Sequence, residues 1–290
     1  MVKLKMLLLY LTMVPEGLEV REEEGSNMEI HVQKKNEIEL VFTISGADMS
    51  FVNAIRRVCM MEVPKMAIDD VHIIKNDSAM FDEVLAHRLG LLPLVSDSES
   101  IDGMILPEEC DCEEYCPKCS VSMVLKKEGP GVVYSKDLSS EDSRIKPVYD
   151  TIPLLKLKDD QEVELEATAQ LGIGMEHAKW EPTTACAYKF YPQITIGEDC
   201  QSCQKCAEAC PRGVLEFDKK SEKIKVVDEL NCSMCKSCFR VCESRTIDIG
   251  FDDTKFIFTI ETDGSTPPEE VLIKACDVLS EKADKIIDIL

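Results

Sequence analysis

Eight cysteines fall into two runs of one spacing. The first is Cys200-x₂-Cys203-x₂-Cys206-x₃-Cys210, followed by Pro211; the second is Cys232-x₂-Cys235-x₂-Cys238-x₃-Cys242, followed by Glu243. Such spacing suits iron–sulfur chemistry. Three closely spaced thiolates wrap one [4Fe–4S] cube, and the fourth cysteine of each run reaches the other cube. On this pattern Cys200, Cys203, Cys206 and Cys242 form one ligand set, and Cys232, Cys235, Cys238 and Cys210 form the second. Disulfides are the competing use of clustered cysteines, but x₂ spacing serves a common metal better than eight-way pairing. Glu243 in place of a second proline changes no ligand.

A further set, Cys110-x-Cys112-x₃-Cys116-x₂-Cys119, could surround a tetrahedral zinc ion in a closed structural site. Glu108, Glu109, Asp111, Glu113 and Glu114 crowd this loop, and their field is expected to raise the thiol pKa values and oppose four thiolates. Free thiols or a labile disulfide are the alternatives. Cys59, Cys186 and Cys276 stand apart in sequence and read as small buried hydrophobes. Asp82, Glu83, His87 and Arg88 could suggest catalysis, yet no nucleophile or phosphate loop accompanies them. A helix ending at Gly90, with polar side chains against a neighbour, accounts for them. Trp180 with His177 and Lys179 reads as packing and interface. No catalytic residue is expected in this chain.

The elements around the eight cysteines repeat with an offset of 32 residues, over about 199–217 and 231–249. Short apolar runs follow the cysteines at Val214–Phe217 and Thr246–Ile249, with matching strands expected at Tyr191–Ile196 and Ile224–Val227. The module spans 193–251, about a fifth of the 290 residues. At that size its own core is thin, and bound cubes must supply much of its stability.

The chain carries a net charge of −22, which would repel phosphates and argues against its gripping nucleic acid alone. Plain solubility or a basic partner would each explain the acidity. No stretch reaches the roughly eighteen apolar residues of a membrane span. Fifteen cysteines, twelve of them in cluster-type spacing, point to a reducing compartment, hence the cytoplasm. Residues 1–27 look foreign to the rest. Leu4–Val14 is apolar behind Lys3 and Lys5, but no small-x-small cleavage site follows, only Glu22-Glu23-Glu24. A flexible extension, or an upstream start chosen in place of Met28, is the expectation.

From Met28 the chain is well patterned. Ile38, Leu40, Phe42 and Ile44 alternate as a strand with one buried face, and Asp48 is placed to cap a helix. That helix carries the stripe Phe51, Val52, Ile55, Val58 and Cys59, with Asn53, Arg56 and Arg57 on its polar flank. Near the other end Phe256, Phe258 and Ile260 alternate, Asp263-Gly264 turns, and Thr266-Pro267-Pro268-Glu269 reads as a capping box. The last helix bears a heptad-like seam of Leu272, Cys276, Leu279, Ala283, Ile286 and Leu290, widened by Val271, Ala275, Val278 and Ile287. A helix packed only on its own sheet would need less. A helix that also meets a partner subunit is preferred.

Asn53-Ala54-Ile55-Arg56-Arg57, Val63-Pro64-x-Met66-Ala67-Ile68 and the stretch Asp82–Leu94 (DEVLAHRLGLLPL) are similar to the D-type, bacterial-alpha-like subunit of archaeal DNA-directed RNA polymerase. Gly172–Trp180 (GIGMEHAKW) and Phe256–Gly264 fit the same family, and the resemblance runs from Met28 to Leu290. It implies an α+β fold: a split alpha-subunit-like dimerisation domain of residues 28–66, 171–192 and 252–290. A mostly-β insert domain would fill 67–170, and an inserted ferredoxin-like domain with two [4Fe–4S] clusters would fill 193–251. The ferredoxin-like insert is present in some members of that family and absent from others, and some eukaryotic counterparts carry zinc in the insert domain. The implied role is scaffolding. The chain would pair with small subunit L, and the pair would nucleate assembly of the large subunits of DNA-directed RNA polymerase, a nucleotidyltransferase active only as the complex. The catalytic aspartates and magnesium would belong to those large subunits, and DNA would be met only through the assembly. The competing reading is a ferredoxin-type electron carrier, which would gain nothing from the Asn53–Arg57 helix, the 82–94 motif or the heptad seam.

Overall fold

The computed structural model describes residues 28–113 and 115–289, so the expectations for residues 1–27, Glu114 and Leu290 lie outside the described residues. Strands β1 (Glu29–Lys35) and β2 (Glu39–Ser45) form a hairpin. Asn36 closes it, its Oδ1 accepting from the N–H groups of Ile38 and Glu39 at 3.0 and 2.8 Å. Helix α1 (Met49–Met61) follows. Asp48 caps it as expected, accepting from Phe51 N at 3.1 Å. Ile38 departs from its expected place on the buried face: it belongs to the hairpin turn and is 46% exposed.

The chain then enters a second unit. It contains β3 (Lys65–Asn76), α2 (Asp82–Gly90), β4 (Ser120–Glu128), β5 (Gly131–Tyr134), β6 (Leu138–Ser140), β7 (Pro153–Leu157) and β8 (Glu162–Gly172). One sheet runs β3-β8-β4-β6, and β5 pairs with β7. Leu85 and Leu89 of α2 pack into the same core as Met66, Ile68, Met123, Leu125, Leu165 and Leu171. Beyond β8 the chain must pass close to neighbours. A Cβ at Gly172 would lie 2.4 Å from the Trp180 ring, and one at Gly174 would lie 2.3 Å from Met60 O. Trp180 is buried and donates Nε1–H to Gln170 O at 3.2 Å, with Lys179 Nζ over its ring.

Strand β9 (Thr183–Ile196) leads into the cysteine module of α3 (Lys205–Glu208), β10 (Leu215–Asp218), β11 (Lys223–Val226) and α4 (Ser237–Val241). Strand β12 (Ile247–Thr262) leads out again, and α5 (Pro268–Ile289) ends the described chain. The strands expected at 191–196 and 246–249 are therefore the far ends of two long strands. β9 and β12 pair antiparallel from Ile247↔Ile196 to Thr262↔Thr183, with an irregularity between Asp252 and Phe256. They serve two units at once.

The second half of that ladder completes the sheet β1-β2-β12-β9. Register stacks apolar rows across three strands: Leu40, Ile260 and Cys186; Phe42, Phe258 and Tyr188; Ile44, Phe256 and Phe190. The Phe42 and Phe258 rings stack at 5.2 Å, and Phe190 lies 5.1 Å from Phe256. Helix α1 buries Val52, Ile55, Val58 and Cys59 here, and α5 buries Val271, Leu272, Ala275 and Cys276. Full burial of each large side chain contributes about 1.5–3 kcal/mol. Cys59, Cys186 and Cys276, far apart in sequence, share this core. Hydrogen bonding with Cys186 and burial push the Cys59 thiol well up, so these residues act as apolar filler but not as isolated ones.

The start of α5 departs from the expected capping box. Thr266 Oγ1 donates to Ser96 O at 3.1 Å, and Glu269 pairs with Lys35 at 3.0 Å. Ser96, buried in the connection after α2, also donates its N–H to Ser265 O at 2.7 Å, and its carbonyl accepts from Lys274 Nζ at 3.4 Å. Glu270 accepts from both the N–H and hydroxyl of Ser98 at 2.7 Å. Lys65, 4% exposed, is paired with Asp263 and donates to Glu181 O at 3.3 Å. Tertiary bonds thus replace the local cap. Pro268 still occupies the first helical position.

Candidate metal centres and partner surface

The two cysteine runs fold alike. Three pairs of residues related by the 32-residue offset have positive φ: Ser202 and Met234 (51° and 53°), Gln204 and Lys236 (65° and 60°), Gly213 and Arg245 (62° and 51°). Five of these six are not glycine, so the left-handed turns are strained, as happens where a site dictates the backbone. The turns bring backbone N–H groups to sulfur: Met234 N to Cys232 Sγ and Val214 N to Cys210 Sγ, both 3.4 Å. One-turn helices α3 and α4 then carry Cys206 and Cys238 inward, where burial raises both thiols.

Two cavities result. One is lined by Cys200, Cys203, Cys206 and Cys242. The other is lined by Cys232, Cys235, Cys238 and Cys210. The last cysteine of each run thus lines the cavity of the other run. Ile196, Ile224 and Ile247 wall the first; Ile194, Leu215 and Ile249 wall the second. Cys242 is lowered to about 6 by the Ser244 hydroxyl, with Thr246 adding to it. Cys235 is lowered to about 7 by the Ser237 hydroxyl. Four thiols around an apolar cavity, one of them in each set lowered toward thiolate, fit an iron–sulfur cube.

The third set also converges. The ligand atoms of Cys110, Cys112, Cys116 and Cys119 all lie within 4.8 Å of one another. Three separations are 3.5 Å (Cys110–Cys116), 3.6 Å (Cys112–Cys119) and 3.8 Å (Cys116–Cys119). A tetrahedron with Zn–S bonds of about 2.3 Å has edges of ~3.8 Å, so the donors fit zinc. The expected opposition from neighbouring carboxylates is not what governs Cys112 and Cys116. Cys112 is pushed up to about 12 by hydrogen bonding with Cys110 and Cys119, while Cys116 is lowered to about 7 by the Lys118 backbone N–H.

The remaining residues singled out in the sequence lie apart from these centres. Asp82, Glu83, His87 and Arg88 sit exposed on α2, where Arg88 donates to Pro153 O and Leu154 O at 3.3 and 2.9 Å. Arg56 is held on α1 by Asn53 at 3.1 Å, and Arg57 is exposed. Lys189, which no sequence motif marks, reaches from β9 to donate to Leu230 O at 2.6 Å and Cys232 O at 3.0 Å. Burial lowers this lysine.

The apolar stripe of α5 outruns its own sheet. Val271, Leu272, Ala275 and Cys276 are buried and Val278 and Leu279 are half-buried, yet Ile286, Ile287 and Ile289 are 60%, 61% and 85% exposed. Lys282 pairs with Glu62, holding the helix beside the end of α1. Among the described residues no helix is long and apolar enough to cross a membrane.

Comparison with known families matches residues 68–186 to the RNA polymerase Rpb3/RpoA insert domain and residues 199–246 to a 4Fe-4S dicluster domain. The fold and the cysteine module therefore define an alpha-like polymerase subunit carrying an iron–sulfur domain. The chain is 61% identical over 260 residues to DNA-directed RNA polymerase subunit Rpo3 of Methanothermobacter thermautotrophicus, covering 90% of this chain and 98% of that protein. It is 55% identical over 269 residues to the Rpo3 of Methanobrevibacter smithii, covering 90% and 97%. Similarity extends to the DNA-directed RNA polymerase II subunit rpb3 of Dictyostelium discoideum, 34% identical over 272 residues, with 85% and 89% covered. The chain belongs to the Rpo3 family of DNA-directed RNA polymerase subunits.

Proposed function

We propose that this chain is a non-catalytic assembly subunit of DNA-directed RNA polymerase, acting in the cytoplasm. It pairs with a small partner, subunit L, and the pair is the platform on which the large catalytic subunits assemble. The observation that carries this reading is the uncovered end of α5. Its Ile286, Ile287 and Ile289 continue a stripe that is buried one half-helix earlier, and among the described residues no helix covers them. The dimerisation unit is residues 28–66, 171–192 and 252–290, with 67–170 and 193–251 inserted. Three separate apolar cores support this division, with Met66 and Leu171 at its boundaries packed into the core of the insert.

Two [4Fe–4S] clusters belong to the module. Cys200, Cys203, Cys206 and Cys242 would hold one, and Cys232, Cys235, Cys238 and Cys210 the other. When bound, a cube supplies four-point cross-linking and one-electron redox capacity. The chain's own part is to wind the loops, aim backbone N–H groups at sulfur and wall the cavities with isoleucine. A zinc ion at Cys110, Cys112, Cys116 and Cys119 would close the insert loop structurally. The clusters brace a surface for later assembly steps and could report redox state there.

Replacing Ile286 and Ile287 by Asp tests the pairing. Both side chains are exposed, so the isolated chain should keep its far-UV spectrum while co-purification of subunit L is lost. Undiminished pairing would remove the basis for placing the partner on α5.

A further inference from the structure

Resting on the reading that the module holds two [4Fe–4S] clusters, we infer that the clusters are electrostatically unequal, and that Lys189 makes the one at Cys210, Cys232, Cys235 and Cys238 the easier to reduce.

The repeat supplies an internal control. Both sites offer four cysteines, both walls include isoleucine, and each has one exposed cysteine, Cys203 or Cys235. Hydrogen bonds to sulfur are also comparable. Hydroxyls of Ser244 and Thr246 reach Cys242, while Ser237 reaches Cys235 and two backbone N–H groups reach Cys210 and Cys232. Ligand type, exposure and hydrogen bonding therefore nearly cancel, and charge is the lever left over.

Charge does not cancel. Arg212 and Lys236 line the second cavity, and their counterparts 32 residues away in the other copy are Ser244 and Gln204. Among the described residues, no charged one lines the first cavity. Lys205, beside the first run, is paired with Glu243 and so neutralised. Asp228 and Glu229 lie near Lys189 and Ile194 and, like Lys189, do not line the second cavity; of these three side chains Lys189 is the one bonded to the backbone of a ligand cysteine. Lys189 adds a third cation from outside the repeat. It is half-buried, and its two bonds at 2.6 and 3.0 Å hold it against the backbone of a ligand cysteine. A fixed, partly desolvated cation acts more strongly than a solvated one. Adding an electron, [4Fe–4S]²⁺ + e⁻ → [4Fe–4S]⁺, deepens the negative charge of the thiolate-ligated cube without breaking a ligand bond. Nearby cations favour that reduced state. Lys189 is thus a positioning residue: it touches the backbone of the ligand loop and acts on the cube through space.

The test is a potentiometric titration of the full, anaerobically loaded chain with dithionite, read by electron paramagnetic resonance. Two waves are expected, and Cys242→Ser, which removes a ligand of the first cluster, should leave the one at higher potential. Lys189→Met should lower the reduced-to-oxidised ratio of that cluster about tenfold at fixed poise, a shift of ~59 mV for one electron, and Lys189→Arg should restore it. Should Lys189→Met lose iron, the exchange Arg212→Ser with Lys236→Gln lowers the same wave at intact iron content. Equal potentials, a lower second cluster, or waves unmoved by these variants would overturn the inference. Iron content below two cubes in the unaltered chain would instead refute the underlying two-cluster reading.

Discussion

Removing residues 193–251 and joining 192 to 252 with a short Gly/Ser linker should leave pairing with subunit L intact. Asp252 lies opposite Tyr191, and Phe251 lies opposite Pro192. Directly opposed Cα atoms in antiparallel strands are about 4.5–5.5 Å apart, so the cut ends meet as a hairpin would. The core of the dimerisation sheet and the core of the cysteine module share no residue. What the sheet loses is the far end of the β9–β12 ladder, from Ile247 to Phe251, and the two acceptors of Lys189. Each charge-assisted bond is worth about 1.5–3 kcal/mol, but the freed ammonium regains water. A net loss of about 1–3 kcal/mol is therefore expected, within the ~5–15 kcal/mol that a domain has to lose. Urea titration followed by far-UV circular dichroism gives the stability, and co-purification gives the partners. Subunit L should be retained, and the deficit should emerge when the large subunits add. Loss of subunit L, or a stability loss above about 5 kcal/mol, would refute the view that the cores are independent.

Changing Cys116 and Cys119 to Ser should abolish binding of about one zinc ion per chain without altering iron content, measured by elemental analysis; zinc-free intact protein would dismiss the site. In metal-free protein at pH 7–8, iodoacetamide should label Cys116, whose pKa is about 7, well before Cys112 at about 12, because the thiolate reacts. Peptide mapping after a short pulse checks the order. Asp263→Ala should cost about 3–5 kcal/mol, because it strands the buried Lys65 ammonium, whereas Asp263→Ala combined with Lys65→Met should recover most of the loss in the same urea assay.

Much of the site was legible because iron–sulfur ligation is written in local spacing. The two four-cysteine sets lining the cavities follow from x₂, x₂ and x₃ gaps and their crossover. The alternations of Leu40, Phe42 and Ile44 and of Phe256, Phe258 and Ile260 likewise named the core rows, since period two survives any tertiary context. Features made by distant segments were not legible. Nothing local says that Thr266 turns to Ser96 in place of its own helix, or that Cys59, Cys186 and Cys276 meet. Lys189 sits unannounced between Tyr188 and Phe190, and its role exists only because a loop 41 residues later folds over it. The strands of the insert carry their register in long-range pairs such as Met66↔Leu171, which one sequence cannot fix.

Helix α5 is a cantilever. Its root is clamped by Glu270 to Ser98, by Lys274 to the Ser96 carbonyl and by four buried side chains from Val271 to Cys276. Past the Lys282–Glu62 pair, the last two turns overhang with their isoleucines in water. Bending is therefore concentrated at the tip, where amide exchange should be fastest. A partner arriving there needs to still only a short overhang, because the insert already aims the beam. That keeps the ordering penalty of association small and sets the partner's approach angle before contact.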